Sequence, residues 1–151
     1  MADFDEAQAQ SQLDELTNHV ERAFIEYTGS LDSEPEELDE ASIDEVLDRV
    51  EKSYGSPGNS ATTSSDLASN LGAALLHVQG KTFTVTQVGT VRNIPGKAKV
   101  FGQLNGKQAY VIKSLPLKFF TIITTDTKGR CVYISTKRQE VKSGGGFGTW
   151  N

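Results

Sequence analysis

The sequence has one cysteine, Cys131, and two histidines, His19 and His77. A lone cysteine excludes an internal disulfide and any zinc site built on a cysteine cluster, and it fits a reducing compartment. After residue 80 there is no histidine, and the only acids are Asp126 and Glu140. That stretch therefore has little from which to build an acid–base pair working near neutral pH. Phosphate-loop, dinucleotide, HExxH and GxSxG patterns are all missing, and Ser143-Gly-Gly-Gly lacks the lysine and helix that a phosphate loop requires. The acids around Asp32, Glu34, Glu36 and Glu37 do not follow EF-hand spacing. No apolar run approaches the ~20 residues needed to cross a bilayer, and Met1 to Glu6 is acidic where a secretory leader is basic and then apolar. The expectation is a non-enzymatic protein without metal or cofactor, placed in the cytoplasm, or in host cytoplasm or virion for a viral chain.

Apolar residues make up 36% of the 151 positions, below the roughly 45–50% of a typical domain, so only part of the chain can be packed core. Charge is abundant and sorted. Residues 1–55 carry seventeen Asp or Glu against Arg22, Arg49 and Lys52, whereas residues 56–151 carry twelve Lys or Arg against three acids. The net charge of −5 conceals an acidic arm joined to a basic domain.

Within the acidic part, Leu13, Leu16, Val20, Phe24 and Tyr27 recur three or four apart, which predicts an amphipathic helix capped by Asp3 or Asp5 and ended by Gly29. A second helix is expected after Ser33-Glu34-Pro35, with Leu38, Ile43, Val46, Leu47, Val50 and Tyr54 as its stripe. Residues 1–54 thus read as an αα-hairpin. Two helices with this self-repulsion bury too little to stand alone, so they need a surface: the basic domain, a second copy, or a foreign basic protein. Leu13, Leu16, Val20 and Phe24 are the candidate partner-binding seam.

Residues 55–65 are small, polar and uncharged, the composition of a flexible linker. Beyond them, residues 66–142 read as a short helix over 66–78, ended by Gly80, then five strands forming a small antiparallel β-barrel of SH3, OB or Sm type. Asn105-Gly106 predicts a two-residue hairpin between Ala98–Leu104 and Lys107–Lys113, which sets Phe101 opposite Tyr110 on one face. Asp126 to Gly129 predicts a second hairpin. The step from Leu104 to Lys107 and the closing Val132-Tyr-Ile-Ser135 strand are similar to the Sm-like fold of RNA-binding rings, which implies a barrel. The Asp and Asn of that family's uridine pocket are not in place in Lys113–Phe120, and no site is carried over. The chain closes on a Gly-rich stretch, 143–151, in which Phe147 and Trp150 resemble a peptide anchor.

The overall class is α+β. Lys99, Phe101, Lys107, Tyr110, Lys113, Lys118, Arg130, Lys137 and Arg138 together supply cations and a stacking pair, the combination that single-stranded nucleic acid requires. The leading expectation is a nucleic-acid-binding module regulated by its acidic arm. A second is a structural or assembly protein, such as a capsid-associated component, tethered through Phe147 and Trp150 and able to form a homo-oligomer. A third is an adaptor or inhibitor presenting the acidic arm to a basic protein. Cys131, in an apolar strand, reads as a buried hydrophobe rather than a nucleophile.

Overall fold

The computed structural model describes residues 6–54, 60–70, 73–86, 94–126, 128–138, 141 and 143–151. Two helices, α1 (Glu6–Gly29) and α2 (Glu40–Tyr54), precede eight strands. These are β1 (Ser60–Asn70), β2 (Ala73–Val78), β3 (Lys81–Thr86), β4 (Ile94–Gly102), β5 (Gly106–Ser114), β6 (Phe120–Thr125), β7 (Gly129–Ser135) and β8 (Gly144–Trp150). The strands form a closed antiparallel barrel in the order β1-β2-β3-β8-β5-β6-β7-β4. Its narrowest seam joins β3 to β8 through the Phe83–Trp150 pair and reciprocal 2.9 Å backbone hydrogen bonds between Thr82 and Asn151.

An α+β chain with a barrel stands as expected, but its strands number eight and not five; β3 to β7 fall where strands were expected. Three more do not come from the pattern. Ser60–Ser65, read as linker, form the first half of β1, while 55–59 lie outside the described residues. The predicted helix over 66–78 is instead the end of β1 and all of β2. Leu76 and Val78, two apart, both enter the barrel interior. Gly80, taken as a helix stop, is the second residue of a hairpin turn: Gln79 and Gly80 have φ of 53° and 75°, the left-handed pair of a type I′ turn, and Val78 pairs with Lys81. The Gly-rich ending is strand β8, lying between β3 and β5. A Cβ on Gly148 would come within 2.6 Å of the Phe83 ring, so this strand can lie against the barrel only with glycine there.

The Asn105-Gly106 hairpin does not form. β4 pairs with β1 and β7, and β5 with β6 and β8, so residues 103–105 cross the barrel end instead of folding β4 back onto β5. Strands β4 to β7 are thus a Greek key. Gly102, at φ 72°, starts the crossing, and the backbone of Gln103 lies directly on Gly129 of the next turn, too close for a side chain at that position. The second expected hairpin is present: the backbone N–H groups of Lys128 and Gly129 donate to Asp126 Oδ1 at 2.7 and 2.8 Å.

Two apolar interiors result. One fills the barrel, with Phe83, Tyr110, Phe120, Ile122, Tyr133 and Trp150 among its members. The other lies between the helices and the outer face of β4–β7, where Leu13, Leu16, Val20, Phe24, Ile43 and Val50 meet Phe101, Ala109, Phe119, Ile123, Val132 and Ile134. Strands covered on both faces lose the alternation of a half-exposed strand, and every residue of β6 is buried. The helices are therefore a layer of the same body, not a detachable arm.

The helix boundaries follow local chemistry. At the end of α1, the Ser30 and Leu31 N–H groups donate to the Tyr27 and Thr28 carbonyls at 3.1 and 3.2 Å, satisfying acceptors the last turn leaves open, and the Thr28 and Ser30 hydroxyls add bonds to the Phe24 and Tyr27 carbonyls at 3.0 and 2.7 Å. α2 begins later than Pro35 suggests: Asp39 caps it, accepting from the Ser42 N–H at 2.7 Å, and hydrogen bonds from Ser42 hold the Asp39 carboxyl below its usual range. Pro35 lies in the connecting segment, which is strapped to the barrel by a Leu38 N–H to Thr136 carbonyl bond of 2.8 Å and an isolated antiparallel backbone β-bridge between Glu37 and Lys137.

Candidate interaction surface

Four of the seven cations singled out in the sequence, Lys99, Lys107, Lys113 and Arg138, pair with carboxylates of the helical side. On β4, Ala98 and Val100 point inward, so Lys97, Lys99 and Phe101 point outward to α2. On β5, Gln108, Tyr110 and Ile112 point inward, leaving Lys107, Ala109, Val111 and Lys113 on the face toward α1.

Five barrel cations meet seven helix-side carboxylates. Lys97 reaches Asp44 at 3.0 Å and Glu40 at 3.9 Å. Lys99 is held between Asp48, at 3.2 Å, and Glu51, and its side chain is only 8% exposed. Lys107 pairs with Glu6 at 3.1 Å, Lys113 with Glu21 at 2.8 Å, and Arg138 with Glu34 at 3.6 Å while also lying over the Phe119 ring. Burial alone would lower the Lys99 pKa, but its hydrogen bonds to Glu51 and Asp48, with their negative charge, hold it above the ordinary lysine value.

The Lys99 cluster gives a pH signature. A raised folded-state pKa contributes stability that is complete below the unfolded value of 10.5 and is lost as pH rises through the higher folded value. Lys99→Met should cost about 1–2 kcal/mol at neutral pH, since Asp48 and Glu51 lose their cation but reach water. In thermal melts above pH 10.5, wild type should lose stability relative to that variant. Parallel decline of the two proteins would show that Lys99 does not carry the effect.

The stacking pair expected at Phe101 and Tyr110 does not exist. Phe101 is 2% exposed beneath the helices, and Tyr110 is inside the barrel, 5.7 Å from Phe83 in an edge-on contact. Only the Asn105-Gly106 hairpin would have placed them together, and β4 and β5 are not neighbours in the barrel. Leu13, Leu16, Val20 and Phe24 are buried on the barrel instead of facing a partner. Trp150 is also interior: its Nε1–H donates to Gln108 Oε1 at 3.0 Å. Phe147 is 41% exposed, with the Lys107 ammonium 5.3 Å from its ring centre. Lys118 and Lys137 are exposed, and Arg130 is half-buried on the outer face of β7, opposite Phe101. Burial pushes the Cys131 thiol far up, which keeps it un-ionised and inert.

The surface remaining on the helical side is acidic. Asp14, Glu15, Asp32, Glu36, Glu37 and Asp39 are exposed outside the pairs with barrel cations, and Glu26 and Glu45 flank Arg49. Sequence reasoning missed an apolar feature at one end of it: a groove of about 440 Å³ between the end of α1, the connecting segment and Pro116-Leu117. The findable signal was Ile25, an apolar residue off the buried stripe of α1; the bend that brings Leu117 beside it has no sequence mark beyond Pro116.

Among the described residues, no group of His, Cys, Asp and Glu could hold a metal ion, and no helix is long and apolar enough to cross a membrane. No known protein family, curated protein or solved structure matches the chain.

Proposed function

We propose that this protein is a non-enzymatic binding protein that presents the acidic outer surface of α1, α2 and their connection to a basic surface of a protein partner, with the barrel as a rigid support. The observation that carries the reading is the division of the carboxylates. Seven pair with barrel-side cations at the edge of the helix–barrel contact, while six more stand exposed outside those pairs. Facing charges of this kind steer association with an oppositely charged surface and fix its orientation.

The nucleic-acid reading has less support. Its aromatic pair is buried, Lys99, Lys107 and Lys113 are engaged by helix carboxylates, and the docked helices would offer phosphates a like-charged face. A tether through the Gly-rich ending is not supported either, because β8 is part of the barrel wall.

The test is a titration of the full chain, at low and at high salt, with a labelled Lys/Arg-rich peptide and separately with a labelled single-stranded DNA. The peptide should bind with a steep loss as salt rises. A variant with Asp14, Glu15, Asp32, Glu36 and Glu37 changed to their amides should bind at least tenfold more weakly, and the DNA should not bind. DNA binding by the intact chain, or peptide binding indifferent to those five carboxylates, would overturn the proposal.

A further inference from the structure

We infer that the groove between α1 and the Pro116-Leu117 bend is a docking site for a short segment of a basic protein that carries one large apolar side chain flanked by Lys or Arg. The inference rests on the acidic-surface reading above and names what would be recognised there.

Three observations point to this place. The first is exposure: Ile25, 54% exposed, is one of two exposed large hydrophobic residues among those described, and it lies in the groove wall with half-buried Leu31 and Leu117. The other, Phe147, is under the Lys107 ammonium. The second is backbone conformation. Leu117 and Lys118 have φ of 65° and 68°, in the left-handed region that non-glycine residues rarely adopt. Such strain is held where the surrounding structure over-determines it, and it concentrates at ligand clamps. Here it fixes one wall of the groove in place.

The third observation selects the occupant. Asp32 and Glu34 are exposed in the groove lining, Glu36 and Glu37 follow in the same connecting segment, and Glu34 has only a long, exposed pairing with Arg138. Lys118 is the one cation in the Leu115–Phe119 bend. An apolar floor with a mostly negative rim complements an apolar anchor between cations and repels an acidic or phosphorylated segment. The volume of about 440 Å³ falls within the ~300–1,000 Å³ of small-ligand clefts, enough for one anchor and its neighbouring backbone. A single buried anchor inside a charged rim is the usual economy of peptide recognition.

The experiment compares two fluorescein-labelled dodecapeptides, identical in four Lys/Arg residues and differing in a central Phe or Ser, by anisotropy against the full chain and against Ile25→Ser. Ile25 is exposed, so the substitution should leave the fold intact, which helical circular dichroism checks. The Phe peptide should bind wild type at least tenfold more tightly than the Ser peptide, and Ile25→Ser should abolish the difference. Equal binding of both peptides to wild type, or a preference that survives Ile25→Ser, would overturn the groove assignment and leave the acidic-surface reading standing. Failure of both peptides to bind would sink both. A concentration-dependent dimer lost in Ile25→Ser and unaffected by the Phe peptide would assign the groove to a second copy and overturn the inference as well.

Discussion

Trp150→Ala is expected to lower the unfolding free energy by about 3–5 kcal/mol, the range for removing a large buried aromatic. Trp150 is the only tryptophan, is 4% exposed, and packs 5.1 Å from Phe83 at the seam where β8 meets β3. Its loss empties the interior next to the seam that closes the barrel by the fewest backbone pairs. The polar part of the loss is smaller, because Gln108 Oε1 keeps the Thr124 hydroxyl at 2.7 Å after the indole N–H is gone. Trp150→Phe should therefore cost only about 0.5–1.5 kcal/mol from the missing hydrogen bond, plus a partial packing loss. Urea denaturation followed by far-ultraviolet circular dichroism separates the two variants. A nearly neutral Trp150→Ala would mean that β8 does not complete the barrel wall.

The second large effect is expected on the opposite side of the barrel. Phe24 is fully buried in α1 and meets Phe119, with ring centres 5.9 Å apart. Phe24→Ala should also cost about 3–5 kcal/mol, a large part of the ~5–15 kcal/mol by which a domain is stable. The location of that loss matters more than its size. If α1 and α2 share an interior with β4–β7, destabilising their contact destabilises the barrel, whose outer apolar face would be opened to water. If the helices were a separable arm, the same change would release them and leave the barrel folded.

Helix periodicity was legible because the stripe of α1 is regular and an acidic helix must bury its apolar face somewhere. The covering surface was legible as a need but not as a choice: nothing in Leu13 or Phe24 tells the barrel from a second copy. Lys99 and Phe101 were correctly read as one face of a strand, yet Tyr110 was assigned to that face through a hairpin that does not form. Asn105-Gly106 carries the local signal for a tight turn, and the crossing to β5 is instead set by long-range pairing of β4 with β1 and β7. Gln79-Gly80 makes the turn the sequence advertised elsewhere. The ending was misread because glycine composition signals flexibility, whereas here it allows close approach to Phe83. Local rules found α1, α2 and β3 to β7, missed β1, β2 and β8, and chose the partners badly, and the site depends on partners.

The division of carboxylates has meaning only if the helices stay docked, so the decisive measurement is unfolding followed by two probes in wild type and Phe24→Ala. Circular dichroism at the helical minimum reports largely on α1 and α2, and the fluorescence of Trp150 reports on the barrel interior. The expected result is one coincident transition in each protein, with the Phe24→Ala midpoint lowered equally by both probes. A helical signal lost at lower denaturant while the Trp150 transition stays at its wild-type position would contradict the account and restore the acidic segment as an independent arm.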